Sequence, residues 1–353
     1  MRAARWHGAL DIRVEDVPTP RPGSGDVLVR VERAGICGTD LVEYLTGPVT
    51  IPVGWPHPTS GRQAPLTLGH ELVGTVVYLG AEVTGLAVGD RVVPNVVVGC
   101  GLCWWCTRHQ EKLCPKVAVR GFNDDGGLAE LIVSEARSCV RVPEHVDLNV
   151  AAFAEPVAIV VRALAKAPTL AGSVVAVLGA GVIGQLVTQL ALGAGAVTVL
   201  AVDPVPSRQL LAAGWGAMAC EPEDAIERIG ELSDGRGADV VIECAGVPGS
   251  LASAIELSRP GGTVVLLGFH AGTEPVPLPA VVLEERTLTG SAGHLWDVDV
   301  ASAVALLSRG AVDVLPLLSA VVPLSDVVGG GFERLRLDRE ALKILADPTA
   351  RAG

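Results

Sequence analysis

Cys100, Cys103, Cys106 and Cys114 stand in the run CGLCWWCTRHQEKLC, a C-x2-C-x2-C-x7-C spacing that lets one backbone knuckle bring four thiolates around a single ion. Zinc favours four soft ligands in a closed tetrahedron, so this set reads as a structural site that staples a lobe and does no chemistry. A second set could do chemistry. It is spread over three segments: Gly35-Ile36-Cys37-Gly38-Thr39-Asp40, Gly69-His70-Glu71-Leu72-Val73-Gly74 and Ala154-Glu155-Pro156. A thiolate, an imidazole and a carboxylate leave a tetrahedral zinc one open position, which a substrate oxygen can fill. A lone cysteine is more often a small buried hydrophobe. The joint occurrence with the knuckle is what carries the reading.

A third pattern binds rather than reacts. Val174–Leu178 runs into Gly179-Ala180-Gly181-Val182-Ile183-Gly184, which opens a helical pattern of Val182, Ile183, Leu186, Val187, Leu190 and Ala191. Gly179 permits the tight turn, Gly181 lets backbone approach a pyrophosphate, and Gly184 allows close helix–strand packing. The helix N-terminus offers unpaired N–H groups to the phosphates. Asp203, nineteen residues past Gly184, ends the second strand. A carboxylate there accepts from ribose hydroxyls and repels a 2′-phosphate, so NAD is expected over NADP. Arg208 could line the same ribose.

These residues need a scaffold of two domains, the default for 353 residues. The chain is 49% apolar with 42 glycines, a packed globular composition, and its net charge of −12 argues against non-specific nucleic-acid binding. The opening MRAARWHGALDIRVEDVPTP lacks the apolar run of a signal peptide, and stretches such as Ala196–Val202 are too short to span a bilayer. No membrane contact is expected, and a soluble cytoplasmic protein is. Eight cysteines then read as metal ligands and buried thiols rather than disulfides.

Short alternating strands such as Asp26–Glu32 and Leu72–Leu79, separated by Pro and Gly turns, predict an antiparallel barrel-like first domain. Residues Ala151–Ala167 predict one long apolar helix. Val174–Leu178, Val197–Val202, Val240–Glu243 and Val264–Leu267 are continuous β-branched runs, as buried parallel strands are, and predict a doubly wound α/β domain. After Ser291 the alternation stops. A helix over about Asp297–Ser308 and irregular strands are expected to return to the first domain.

With GICGTD, GHELVGTV, VGDRVV, the cysteine knuckle, AEPVAIVVRAL, GAGVIG, AVDP, VIECAG and the closing ALKILADP, the chain resembles the medium-chain, zinc-dependent alcohol and polyol dehydrogenases over essentially its whole length. Gly47–Glu71, with its Pro-His-Pro loop, is most similar to the 2,3-butanediol dehydrogenases. The resemblance implies an α/β protein. A GroES-like, β-rich catalytic domain would cover 1–152, with the structural zinc lobe at 99–115. A Rossmann doubly wound, parallel-sheet NAD domain would cover 153–293, and 294–353 would return to the catalytic domain. It implies two zinc ions per subunit, NAD as cofactor, and a homodimer or homotetramer.

By the same resemblance, Cys37 and His70 would be ligands of the catalytic zinc and Glu155 the third, with Glu71 its alternative. Asp40 would hydrogen-bond the far side of the His70 ring. Thr39 would place its hydroxyl against the substrate oxygen and relay its proton. Many relatives carry a relay histidine five residues after the catalytic cysteine; Val42 stands there. His57 would lie in a loop at the cleft rim or be structural. His294 and Trp296 would line the cleft or serve the core. The activity implied is hydride transfer between NAD and a small secondary alcohol, diol or polyol, or the corresponding ketone. An amino-alcohol or sugar-like biosynthetic intermediate is the alternative substrate. A non-catalytic NAD-binding protein on this fold would be expected to have lost Cys37, His70 or Glu155, and all three are present.

Overall fold

The computed structural model describes residues 1–270 and 272–350. Two compact units emerge: Met1–Ala158 together with the chain from Gly293 onward, and Ile159–Ala292.

The first unit is built on a seven-stranded sheet ordered Cys139–Arg141, Arg91–Pro94, Glu71–Leu79, Asp26–Gly35, Lys343–Asp347, Leu318–Pro323, with Leu131–Glu135 also pairing to Asp26–Gly35. Asp26–Gly35 alternates as a half-buried strand must, with Val27, Val29 and Val31 fully buried. Its antiparallel register with Glu71–Leu79 sets Gly35 opposite Glu71. That one pairing brings the GICGTD and GHELVG segments side by side. On its other flank Leu345 pairs with Gly35, so the C-terminal strand closes on the same spot. Trp6, Ile36, Leu66, Leu68, Leu72, Leu128 and Phe332 fill the core beneath.

The second unit holds a six-stranded, all-parallel sheet ordered Met218–Cys220, Thr198–Val202, Val174–Leu178, Ala238–Glu243, Ser258–Leu266, Thr287–Gly290. The chain winds outward from Val174–Leu178 on one side, then crosses to Ala238–Glu243 on the other. The strand order reverses at the carboxyl end of Val174–Leu178, where open α/β sheets bind ligands. Gly179 sits there at φ +87°, a conformation glycine adopts without strain, and Val182–Gly193 is the helix it opens.

Two helices differ from expectation. The apolar stretch Ala151–Ala167 is not one helix but two, Leu148–Ala151 and Ala154–Leu164. Pro156 has no N–H to offer the carbonyl four residues back, so it fits only the first turn of a new helix. The helix expected over Asp297–Ser308 is a π-helical turn, Trp296–Val300, followed by an α-helix, Ala301–Ser308. There the N–H groups of Asp299 and Val300 both donate to the Leu295 carbonyl. Among the described residues no helix is long and apolar enough to cross a membrane.

A Cβ on Gly184 would fall on the Gly179 carbonyl oxygen, whereas one on Gly193 of the same helix would meet nothing within 4 Å. Gly184→Ala is therefore expected to destabilise the protein by about 1–3 kcal/mol. Gly193→Ala should be neutral or stabilising by up to about 1 kcal/mol. Urea unfolding of the two variants checks the contrast.

Candidate active site

Cys37 sits at the N-terminal boundary of the helix Gly38–Thr46, with its backbone N–H donating to Asp40 Oδ2 at 2.9 Å. The same Asp40, fully buried, turns its other oxygen toward His70, with Oδ1 and Nδ1 3.4 Å apart. That contact is an ion pair rather than a well-formed hydrogen bond. It directs Nδ1 of the ring to Asp40 and leaves Nε2 facing the other way, where Thr39 Oγ1 lies 3.4 Å off. Gly69, at φ +94°, sets the backbone that delivers His70, and the ring rests against Phe122 at 4.8 Å between centroids. Burial disfavours the charged imidazole, but Asp40 and Cys37 prevail and hold the His70 pKa well above its ordinary value.

Cys37, His70 and Glu71 bring one ligand atom each to within 4.8 Å of one another. Glu155 is not in that set. The expected third ligand instead lies beside it, buried at the start of its helix, with Oε1 3.7 Å from His294 Nε2. Desolvation pushes the Glu155 carboxyl up to about 7, against the attraction of His70 and with the added repulsion of Glu71. His294 is 2% exposed, and burial drives its pKa down to about 4.

One functional residue was absent from the reading of the sequence. Lys343 is 3% exposed, and its Nζ donates to both oxygens of Glu71, at 2.7 and 2.6 Å, and to the Ile36 carbonyl at 3.1 Å. Its pKa is raised: burial opposes the charge, and Glu71 and Cys37 outweigh it. The available signal was a lysine heading the run Lys343–Asp347, KILAD, directly before three apolar residues. Gly35 completes the arrangement, because a Cβ there would occupy the space of Glu71 Oε2.

The donor set fits a dication. Four acidic side chains, Cys37, Asp40, Glu71 and Glu155, gather here with Lys343 bonded to Glu71, and a soft, a borderline and a hard ligand type are all represented. Cys100, Cys103, Cys106 and Cys114 likewise lie within 4.8 Å of one another, and all eight cysteines are free thiols. Backbone N–H groups point at this sulfur cluster: Cys100 N and Lys116 N donate to Cys114 Sγ at 3.4 and 3.3 Å, and Cys106 N donates to Cys103 Sγ at 3.5 Å. Amides of Leu102 and Cys103 draw the Cys100 thiol down to about 6, while burial pushes Cys106 up to about 12. Four convergent sulfurs with N–H donors suit a closed zinc site.

His57 is a loop staple: its Nδ1 accepts from Thr59 N at 3.3 Å, and the ring also engages the Val117 carbonyl. Val42 contributes its carbonyl to the Thr46 hydroxyl and no titratable group. In the second unit Asp203 is 3% exposed; Oδ2 accepts from Ala180 N at 2.7 Å and Oδ1 from Val205 N at 2.9 Å. Asp203 thus braces the glycine turn itself, and Arg208 Nη1 lies 3.8 Å from the same Oδ2. A Cβ on Gly181 would meet nothing within 4 Å, so the turn presents bare backbone there. Val182 and Ile183 form the first turn of the helix behind it.

Residues 23–144 match the alcohol dehydrogenase GroES-like domain and residues 182–309 the zinc-binding dehydrogenase domain. The (R,R)-butanediol dehydrogenase of Bacillus subtilis (strain 168) is 34% identical over 356 residues, covering 99% of this chain and 100% of that protein. The crystal structure of 2R,3R-butanediol dehydrogenase from Bacillus subtilis superposes with a TM-score of 0.91, at 33% identity over 99% of both chains. A zinc-binding dehydrogenase from Sinorhizobium meliloti 1021, solved with NADP, superposes with a TM-score of 0.86 at 31% identity, covering 98% of this chain and 99% of that one. With both domain models in order and whole-length relatives of the same architecture, the chain belongs to the zinc-binding alcohol dehydrogenases, oxidoreductases of CH–OH groups built from a GroES-like and a Rossmann domain.

Proposed function

We propose that this protein interconverts a small vicinal diol or polyol and its ketone with NAD, acting at a secondary carbinol. The observation that carries the reading is the convergence of Cys37, His70 and a glutamate, with the Thr39 hydroxyl beside His70 Nε2. The diol preference rests on the whole-length likeness to the butanediol dehydrogenase.

Oxidation removes a hydride from carbon and a proton from oxygen. Zinc, when bound, supplies Lewis acidity that makes the alcohol hydroxyl more acidic, and the nicotinamide supplies the hydride acceptor. The protein's part is positional and protic. Cys37 and His70 hold the metal, with Glu71 as the carboxylate already gathered to them and Glu155 as the second carboxylate in reach. Asp40 holds Nδ1 of the imidazole, so Nε2 is the nitrogen that would ligate the metal. Lys343 neutralises Glu71, which keeps a buried cluster of acids from repelling itself apart. Thr39 Oγ1 would take up the alcohol proton as it releases its own toward the cofactor ribose hydroxyls and ordered water, a path that does not use position 42, where Val42 has nothing to titrate. Cys100, Cys103, Cys106 and Cys114 hold the second, structural zinc. Gly179, Gly181, Val182, Ile183 and Gly184 present the pyrophosphate turn, while Asp203 and Arg208 face the adenosine ribose.

We further infer a cytoplasmic homodimer or homotetramer. Among the described residues the strand Thr287–Gly290 ends its sheet with one side unpaired, and Leu278, Val282 and Leu283 are exposed in the same unit. Sedimentation returning a monomer at micromolar concentration would refute the assembly.

A screen of secondary alcohols, vicinal diols and polyols by nicotinamide reduction tests the substrate class; simple monoalcohols outrunning every diol would reject it. Thr39→Val should cut turnover by about 10²–10⁴-fold with zinc retained; undiminished turnover removes Thr39 from the relay. Asp203→Ala should raise the KM for NAD and narrow its advantage over NADP, which steady-state kinetics with both cofactors will measure. An unmutated protein that already prefers NADP would refute the Asp203 assignment. Lys343→Met strands the Glu71 carboxylate in the core and should destabilise the protein by about 3–5 kcal/mol in urea unfolding.

A further inference from the structure

Two carboxylates face the metal-ligand cluster, and they are held very differently. Glu71 receives two charge-assisted hydrogen bonds from Lys343. Glu155 is 8% exposed, and its Oε1 lies 3.7 Å from His294 Nε2, beyond hydrogen-bond length. A nearly enclosed carboxylate needs a donor to fix its rotation.

His294 presents the complementary problem. It is 2% exposed, and among the described residues neither ring nitrogen has a hydrogen-bond partner. A neutral imidazole carries one donor and one acceptor, and an apolar side chain of like size would fill the same space without unpaired polar atoms. Packing alone does not account for a histidine here. The backbone around it is anchored. Leu295 N donates to the buried Asp299 carboxylate at 2.7 Å, and the Leu295 carbonyl accepts from Asp299 N at 2.8 Å. Gly293, at φ +59°, packs against Lys112 and Val97. The ring is thereby presented on a fixed segment with Nε2 3.7 Å from Glu155 Oε1. A side-chain adjustment of about 1 Å brings that pair to a normal hydrogen-bond length.

We infer that His294 is the positioning residue for Glu155: its Nε2–H donates to Glu155 Oε1 and so fixes which carboxylate oxygen faces the metal ligands. Histidine suits the task because it can donate a hydrogen bond without bringing a fixed positive charge. Lysine on Glu71 cancels a charge; the imidazole on Glu155 orients one and leaves it whole. The inference rests on the reading of Glu155 as part of the metal site.

The test is a double-mutant cycle on the zinc-loaded full chain, comparing His294→Phe, Glu155→Gln and the pair. Two quantities are read: kcat/KM for the best secondary alcohol, and the rate at which a fixed excess of chelator removes the more labile zinc. With Glu155 present, His294→Phe should cost about 10–100-fold in at least one of them. With Gln at 155 the same substitution should cost less than about threefold, because the charged acceptor is gone. His294→Gln, which can offer an amide N–H, should recover most of the loss. Losses that multiply in both quantities, a Gln variant as impaired as the Phe variant, or no loss at all would overturn the assignment. If His294→Phe does not fold, His294→Leu takes its place in the cycle. The chelator arm needs no substrate, so it still decides on His294 if no secondary alcohol proves to be oxidised and the proposed function fails.

Discussion

A lysine ammonium and a glutamate carboxylate lie buried against each other in the first unit, Lys343 on Glu71 at 2.6 Å, and the surrounding sheet is threaded so that they meet. Burying two charges is costly unless every remaining polar valence is met. Here it is met on the cation: the ammonium has three donors, and two go to Glu71 and one to the Ile36 carbonyl. The pair makes sense of otherwise separate features. Gly35 must lack a side chain because Glu71 fills that space. The last strand must return to lie along Asp26–Gly35 because it carries the lysine. Cys37 follows Gly35 by two residues and His70 precedes Glu71 by one, so fixing the pair fixes the metal ligands.

The electrostatics of the site follow from that arrangement. Lys343 is committed to Glu71, and a dication would take the place of the protons that the metal-free cluster holds on His70 and Glu155. The cysteine lobe solves a different problem. Its four sulfurs come from fifteen consecutive residues, two of them receive backbone N–H bonds, and four thiolates would leave a tetrahedral zinc no open position. One cluster is built to be finished by a metal. In the proposed function the other would be finished by a metal and then a substrate.

Legibility in the sequence tracked the locality of the interactions. The knuckle Cys100–Cys114 and the turn Gly179–Gly184 are each local in sequence; in the structure the four sulfurs lie within 4.8 Å of one another and the helix Val182–Gly193 follows the turn. The parallel strands were legible because burial on both faces leaves an unbroken β-branched run, as in Val174–Leu178. What was hidden depends on register and on distant segments. Lys343 meets Glu71 only because two strands flank a third. Glu155 stands outside the Cys37–His70–Glu71 set, in the first turn of the helix Ala154–Leu164, and its distance from that set depends on tertiary placement that spacing does not encode. Asp203 was read as a ribose acceptor, and its bonds to Ala180 N and Val205 N add a bracing role that no motif spells out.

The account stands or falls on whether two separate stretches of cation-seeking side chains are both filled in the working protein. Elemental analysis of freshly purified, fully active material measures this most directly. Two tightly held zinc ions per chain are predicted, one of them lost on Cys37→Ser together with activity. At most one tightly held ion in fully active protein would contradict it.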